Sequence, residues 1–191
     1  MITISAVILA GGLARRMGGA DKGLQLLQNK PLVAHILDRL TPQVSQIAIN
    51  ANRSLPEYAQ FGVPVFQDEI DGFQGALSGM LTALRHASTD YVLFVPCDCP
   101  FLPLNLVEKL KSAVENQAVL AAYAHDGERD HPTFCLISRQ LSTALDAYLA
   151  SGERRMLFFM REQGAARVDF SAQKDAFRNF NTLAELAQEQ A

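Results

Sequence analysis

Short apolar runs of strand length alternate along this chain with stripes of apolar residues at helical spacing, and no other feature limits its fold so strongly. The first run, Ile4–Leu9, is apolar and partly β-branched and stops before a pair of glycines, which predicts a strand. A helical stripe follows at positions i, i+3, i+4 and i+7, formed by Val33, Ile36, Leu37 and Leu40. Pro31 is favourable as a first helical residue, so we predict that this helix begins there.

The same two patterns continue to the end of the chain. Further strands are predicted at Gln46–Ala51, Pro64–Phe66, Tyr91–Val95, Ala118–Ala124, Thr133–Ile137 (the candidate for an antiparallel strand) and Val168–Phe170. Further helical stripes begin at Leu77, Leu106, Leu141 and Met156, and a capping-box pattern of Thr182 and Glu185 predicts a closing helix over Thr182–Gln188. Strands that alternate with helices imply an α/β fold in which helices cover both faces of a mostly parallel sheet. No repeat, low-complexity tract or linker interrupts the pattern, so we expect residues 1–191 to form one domain.

The composition excludes several classes of protein. Of the 191 residues, 49% are hydrophobic and 19% are charged, which supports a sizeable core and argues against disorder. The net charge of −3 lacks the basic excess of a general nucleic-acid binder. No apolar run is long enough to span a membrane, so we expect a cytoplasmic protein that binds neither membrane nor nucleic acid. The three cysteines, Cys97, Cys99 and Cys135, are odd in number and predict buried, reduced thiols.

The loop after the first predicted strand has the composition of a phosphate-binding segment. Residues 9–23 read LAGGLARRMGGADKG and combine five glycines with the cations Arg15, Arg16 and Lys22. Glycines let a backbone approach a ligand closely, exposed N–H groups can cradle phosphate oxygens, and the cations suit the same ligand. The segment is not a Walker A loop, because Gly23 follows Lys22 where that motif has serine or threonine. The alternative is a flexible surface loop with solvated arginines.

Asp98 stands just beyond the predicted strand Tyr91–Val95, in the sequence PCDCP. Ligands of open α/β sheets bind outside the carboxyl ends of the strands. A carboxylate at such an end is suited to Mg²⁺, which often takes one or two protein carboxylates and completes its shell with substrate oxygens and water. The alternative is that Asp98 only caps the helix predicted at Leu106.

Motifs along nearly the whole chain carry a family resemblance. The glycine-rich segment resembles nucleotidyltransferases that use nucleoside triphosphates. The further motifs are NANR (50–53), GALSGM (75–80), PCDCPFLP (96–103), HDGERDHPTF (125–134), SGERRMLFFM (151–160) and FRNFNTLAEL (177–186). Together they resemble the molybdenum cofactor guanylyltransferase family, from which the chain departs at Ala76, where that family usually has proline.

The resemblance implies a three-layer, Rossmann-like nucleotidyltransferase domain. It implies an enzyme that transfers GMP from GTP to the terminal phosphate of the molybdenum–molybdopterin cofactor, with Mg²⁺, releasing pyrophosphate. Lys22 and Arg15 would contact the phosphates, and Asp98 would bind both metal and nucleotide. The guanine site of the family corresponds here to Leu9, Ala10, Gly11, Asn50 and Asp68. From the residues alone, Asn50 could simply start a turn and Asp68 could belong to a solvated acidic loop.

The second half of the chain is expected to bind the pterin acceptor. The candidates are Arg129, His131, Arg154 and Arg155, with Asn179 and Asn181 as further contributors. Glu153–Arg155 could equally be a charged first turn of a helix, and the role of Arg16 stays open. The resemblance also leaves room for transient contacts with proteins that deliver the cofactor and with molybdoenzymes that receive the product.

Three other functions compete with the implied one. A sugar-phosphate nucleotidyltransferase would share the glycine-rich loop, although such chains usually carry extra sugar-binding segments. A cytidylyltransferase relative would use CTP in place of GTP. A non-enzymatic GTP-binding carrier of the cofactor would keep the loop and tolerate the loss of Asp98.

Overall fold

A computed structural model describes residues 2–12, 21–70, 75–182 and 185–186. The strands are β1 (Ile4–Leu9), β2 (Leu26–Leu27), β3 (Lys30–Pro31), β4 (Ile47–Asn50), β5 (Val65–Phe66), β6 (Tyr91–Pro96), β7 (Ala121–His125), β8 (Asp130–Ser138) and β9 (Ala166–Asp169). The helices are α1 (Leu32–Leu40), α2 (Leu55–Ala59), α3 (Ala76–His86), α4 (Leu106–Gln117), α5 (Ser142–Ala150) and α6 (Met156–Glu162). Three 3₁₀ helices cover Lys22–Leu24, Arg139–Leu141 and Ser171–Phe177.

Seven strands form one sheet in the order β5-β4-β1-β6-β8-β7-β9. The pairs β5–β4, β4–β1, β1–β6 and β7–β9 are parallel, whereas β8 runs antiparallel to both of its neighbours. The mostly parallel sheet and the antiparallel strand at Thr133–Ile137 are therefore confirmed, and that strand extends further than the sequence predicted. The chain crosses from one side of β1 to the other between β4 and β6, and this reversal of strand order is where α/β sheets form their ligand crevices.

Alternation along the strands divides the core into two layers, one on each face of the sheet. On β1, Ala6 and Ile8 belong to the cluster that α1, α2 and α4 cover. Val7 and Leu9 point the other way and pack with α3, α5 and α6. The central strand β6 is fully covered, since Val92–Val95 are at most 1% exposed. The three-layer α/β fold with helices on both faces is confirmed.

Several local predictions were wrong, and one helix was missed. Pro31 is not the first helical residue but lies in β3 with extended backbone (ψ 143°), and α1 begins one residue later. Ala118 does not open a strand; its left-handed backbone (φ 52°) ends α4. Helix α2 was missed because five residues are too few to show a helical period.

The capping box is confirmed, because Thr182 Oγ1 accepts the N–H of Glu185 at 3.2 Å and Glu185 Oε2 accepts the N–H of Thr182 at 3.0 Å. Much of the predicted helix Thr182–Gln188 lies outside the described residues. All three cysteines are buried and unpaired, as predicted. Within the described ranges, no helix combines the length and the apolar character that a membrane span needs.

Candidate functional site

A cavity of about 420 Å³, called the first cavity below, opens at the carboxyl ends of the central strands. The register of the strands explains the position of this cavity. Leu9 at the end of β1 pairs with Asn50 of β4 on one side and with Pro96 of β6 on the other. Three strand ends are therefore level. Of the residues that the sequence assigned to nucleotide and metal, Leu9, Ala10, Gly11, Lys22, Asn50 and Asp98 all line this cavity. Arg15 and Arg16 lie outside the described residues.

Lys22 joins two distant segments at the floor of the first cavity. Its Nζ donates to Asp98 Oδ2 at 3.1 Å and to Asn181 Oδ1 at 2.7 Å. The two side chains of the ion pair are only 23% and 16% exposed, so solvent screens their attraction less than at an open surface. The carbonyl of Asp98 also accepts the N–H of Phe180 at 2.9 Å, which holds the C-terminal segment beside the strand end.

Asp98 does not act as a helix cap. The residue at the N-cap of α4 is Asn105, seven positions further along, and its side chain makes no capping hydrogen bond. The carboxylate of Asp98 instead lines the cavity and binds Lys22. The alternative of capping alone is therefore excluded.

Next to Lys22 in the chain, Asp21 belongs to a buried polar group with Tyr58 and Arg53, which the sequence did not reveal. Asp21 is 8% exposed and accepts a hydrogen bond from the hydroxyl of Tyr58, a fully buried residue of α2. Burial, assisted by the nearby Cys97 and Asp21, raises the pKa of Tyr58 well above its ordinary value, so the phenol remains a donor. Arg53 Nε lies 3.6 Å from the second oxygen of Asp21.

Gly23 is a glycine because of packing against this group. A Cβ at that position would lie 2.5 Å from the Tyr58 hydroxyl, closer than two such atoms can approach. The sequence had counted Gly23 among glycines that approach a phosphate. Its small size also lets the 3₁₀ helix at Lys22–Leu24 pack against Tyr58, while its approach to a phosphate stays a prediction.

Asn50 presents an oriented amide to the first cavity. The side chain is at the end of β4, in a residue only 3% exposed, and its Nδ2 donates to Asp68 Oδ1 at 2.8 Å. Its Oδ1 lies against α3, where a Cβ on Gly79 would be 2.1 Å away. Asn50 therefore does not simply start a turn, and Asp68 is tied to this cavity residue instead of standing free in an acidic loop, although Asp68 is not itself among the lining residues.

A second cavity of about 660 Å³ adjoins the first. Pro96, Asp98 and Thr133 line both cavities, so the two meet at Asp98. Among the acceptor-site candidates, Arg129, His131 and Asn179 line the second cavity and Asn181 lines the first.

His131 is held firmly in the second cavity. Its Nε2 lies 2.7 Å from Asp126 Oδ2, and its ring stacks on Phe177 with centroids 4.7 Å apart and planes 14° apart. Burial alone would raise the pKa of Asp126, but hydrogen bonds from His131 and from the N–H groups of Arg129 and Glu128 lower it well below its ordinary value. Asp126 thus stays ionised and fixes the imidazole. The sequence missed Asp126, although its position in the HDGERDH motif beside two candidates was a usable signal.

Arg154 and Arg155 line neither cavity. Arg154 donates to the carbonyl of Leu149 at 2.8 Å. Arg155 pairs with Glu153 at 3.0 Å and lies over the ring of Phe158. The charged run precedes α6 instead of forming its first turn, and the role of both arginines in acceptor binding stays a prediction.

A glycine-lined cavity with a lysine and an aspartate, at the carboxyl edge of a parallel sheet, is the arrangement of a nucleotide-binding α/β domain. The sequence profile described as "MobA-like NTP transferase domain" matches residues 6–167. Two relatives described as molybdenum cofactor guanylyltransferase, from Mannheimia succiniciproducens and Pasteurella multocida, are 66% and 64% identical to this chain over 185 residues. These matches cover 97% of this chain in both cases and 97% and 98% of the relatives.

Solved structures agree on the fold. Molybdopterin-guanine dinucleotide biosynthesis protein A from Archaeoglobus fulgidus superposes with a TM-score of 0.81 at 20% identity, over 97% of this chain and 96% of that one. A CMP:2-keto-3-deoxy-manno-octonic acid synthetase in complex with CTP superposes with a TM-score of 0.73 at 13% identity, over 98% and 97%. The family profile and the relatives define a protein of the nucleotidyltransferase class, and the fold and the cavity agree with it. This chain belongs to the MobA-like NTP transferase family.

Proposed function

We propose that this protein transfers GMP from GTP to the terminal phosphate of the molybdenum–molybdopterin cofactor, which releases pyrophosphate and forms molybdopterin guanine dinucleotide. The relatives at 66% and 64% identity carry the name of that activity. The observation that carries the proposal is the position of Asp98, which lines both cavities. A group at this junction can act on a donor in one cavity and an acceptor in the other.

GTP would occupy the first cavity, with its base beside the ends of β1 and β4. Guanine offers N1–H and N2–H₂ donors next to the O6 acceptor, so its edge needs acceptors on the protein. The carbonyl of Leu9 already accepts the N–H of Cys97 at 3.1 Å. A carbonyl oxygen has two lone pairs, so this bond leaves Leu9 able to accept a second one, just as the bond from Asn52 leaves Gly11 able to do so. The base edge is assigned to the backbone of Leu9, Ala10 and Gly11, together with Asn50 and Asp68. A buried donor left unpaired costs about 1–3 kcal/mol, which is enough to select the base.

The phosphates of GTP would extend towards Lys22. Its ammonium, already poised at the floor of the cavity, would stabilise charge that develops on the leaving pyrophosphate. Arg15 would add a second positive charge from the glycine-rich loop. Phosphoryl transfer demands mainly alignment of the reacting groups and stabilisation of their charge. A lysine held in one position can contribute to both.

Asp98 would hold Mg²⁺. Among the described residues no group of three or more histidine, cysteine, aspartate or glutamate side chains could enclose a metal ion. A single carboxylate in an open cavity nevertheless fits Mg²⁺, whose remaining ligands can be phosphate oxygens and water. When bound, the ion would neutralise phosphate charge. Lys22 occupies one oxygen of Asp98 and would turn to the phosphates once they are present.

No covalent intermediate on the protein is needed. Cys97 and Cys99 flank Asp98, but burial, together with the charge of Asp98, raises the pKa of both thiols far above their ordinary value. They remain protonated and are poor nucleophiles. The terminal phosphate of the acceptor therefore attacks the α-phosphate of GTP directly.

The molybdenum–molybdopterin cofactor would occupy the second cavity, with its terminal phosphate at the junction. Arg129, His131 and Asn179 line that cavity, and Asn181 is already held near the junction by Lys22. Arg154 and Arg155 would reach the acceptor only by leaving their present partners. Residues 1–191 would act as one domain, and transient contacts with cofactor-delivering proteins and molybdoenzymes would pass the cofactor and its product on.

The test is to incubate the protein with GTP, Mg²⁺ and the cofactor and to follow dinucleotide and pyrophosphate together. Equal amounts of both products are expected with GTP. Turnover with CTP but not GTP would assign the protein to the cytidylyltransferase relatives, and turnover with a sugar phosphate would assign it to the sugar-nucleotide enzymes. Tight GTP binding without pyrophosphate release would identify a carrier.

A further inference from the structure

Asn52 ties together two loops of the first cavity without lining the cavity itself. The residue follows β4, and its side chain reaches in two directions. Its Oδ1 accepts the N–H of Asp68 at 2.9 Å, beyond β5, and its Nδ2 donates to the carbonyl of Gly11 at 3.3 Å, beyond β1. One amide thus spans the end of β4 and joins the loops on either side of it.

The contact with Gly11 is close enough to explain the glycine. A Cβ on Gly11 would lie 2.8 Å from Asn52 Nδ2 and 3.2 Å from Asn50 Oδ1. Two side-chain amides therefore pack against the Cα of Gly11. A side chain at position 11 would therefore collide with these two amides, and it would also keep a phosphate from approaching the backbone.

Asp68 is held by the same two asparagines. Asn50 Nδ2 binds its carboxylate at 2.8 Å, whereas Asn52 Oδ1 binds its backbone N–H. Asp68 is thereby fixed at both the main chain and the side chain. If Asn52 were lost, the carboxylate would keep one bond but its loop would be free to move away from Gly11.

We propose that Asn52 is a positioning residue for base selection, which sets the separation between the Gly11 backbone and the Asp68 carboxylate. This inference rests on the proposed function, which assigns both of those groups to the edge of guanine. A fixed separation lets both acceptors meet N1–H and the 2-amino group at once. A looser separation would lose the 2-amino contact first, because that group projects from the ring.

The chemical step should be largely spared. Lys22 donates its hydrogen bonds to Asp98, which follows β6, and to Asn181, whereas Asn52 follows β4, on the other side of β1 in the sheet. Loss of Asn52 should therefore raise the KM for GTP about tenfold, the effect of roughly one hydrogen bond, and change kcat less than about twofold.

The experiment compares binding of GTP, ITP and ATP to the full chain by calorimetry, with steady-state kinetics alongside. ITP lacks only the 2-amino group of GTP. The variants are Asn52→Ala, which removes both bonds, and Asn52→Asp, which serves if the alanine variant does not fold. The aspartate keeps the size and the acceptor for the Asp68 N–H, and it replaces the donor to Gly11 with a charged oxygen that repels the Gly11 carbonyl. Asn116→Ala, at an exposed asparagine of α4, is the matched control.

In the variants, GTP should bind about tenfold more weakly and the preference for GTP over ITP should shrink towards unity, while Asn116→Ala matches the wild type. If the wild type prefers GTP and the Asn52 variants keep both its GTP affinity and its GTP-to-ITP ratio, the inference about Asn52 is overturned and the proposed function is not. A wild type that binds GTP no better than ATP would overturn the guanine-nucleotide function and the inference with it.

Discussion

The ammonium of Lys22 lies 3.1 Å from the carboxylate of Asp98, although 76 positions separate the two residues in the chain. Each comes from a segment that follows a central strand, and the level ends of β1 and β6 bring the segments together. The pair marks the place where a nucleotide donor and its acceptor would meet. Removal of either member should therefore slow the transfer.

Lys22→Ala should lower kcat/KM for GTP by about 10²–10³-fold, because the charge on the leaving pyrophosphate loses its main protein donor. Both the affinity for GTP and the rate should fall. Lys30→Ala is the matched control, since Lys30 forms its ion pair with Asp38 at the exposed surface. If the Lys22→Ala variant kept the wild-type affinity for GTP and the wild-type rate, Lys22 would not contact the phosphates.

Gly79→Ala should destabilise the protein by about 1–3 kcal/mol, the usual cost of forcing an extra methyl into a packed site. The added Cβ would collide with the amide of Asn50 and push it from the cavity wall, so GTP binding should weaken as well. The free energy of unfolding in urea measures the first effect. In an Asn50→Ala background the same substitution should cost much less, and a penalty that did not depend on Asn50 would show that the collision has been assigned to the wrong partner.

The hydrogen bonds that hold the carboxylate of Asp126 predict a pH dependence of stability. The pKa of Asp126 is lowered on folding from its ordinary value of 3.8, so its ionised form stabilises the folded state above that value. The contribution is lost as the pH falls towards and below it. The difference in unfolding free energy between wild type and Asp126→Asn should therefore shrink from about pH 5 to about pH 3. Asp38→Asn, at an exposed carboxylate, is the control, and a difference that stayed constant over this range would contradict the assignment.

The sequence predicted the fold well because most strands of the sheet are apolar runs and most helices that cover it show an apolar stripe. The stripes of α1, α3 and α4 and the apolar run of β6 were all visible. The hairpin of β2 with β3 and the helix α2 are two to five residues long, carry no period and were missed, whereas the short strands β4, β5 and β9 were predicted from their apolar runs. The prediction of Pro31 as a first helical residue failed because the same φ angle also suits the short strand that precedes α1.

The site could be predicted residue by residue but not as a set of contacts. Lys22, Asn50 and Asp98 were all identified, and each lines the first cavity. Their partners depend on tertiary packing, which no local pattern reports. Tyr58 under Asp21 shows this most clearly, because it belongs to a helix that the sequence did not reveal. Glycines were identified as permissive positions, yet only the structure shows that Gly79 is small to make room for Asn50.

The most direct test of the central claim follows the label of α-³²P-GTP in the presence of Mg²⁺ and the molybdenum–molybdopterin cofactor, with wild type and with Asp98→Asn. The amide keeps the size of the carboxylate and removes its charge, so thermal unfolding should stay close to that of the wild type. Wild type should move the label into the dinucleotide, and Asp98→Asn should slow that transfer by about 10²-fold or more, as expected for loss of charge stabilisation at the reacting phosphate. Transfer at the wild-type rate by the folded Asp98→Asn variant would contradict the account.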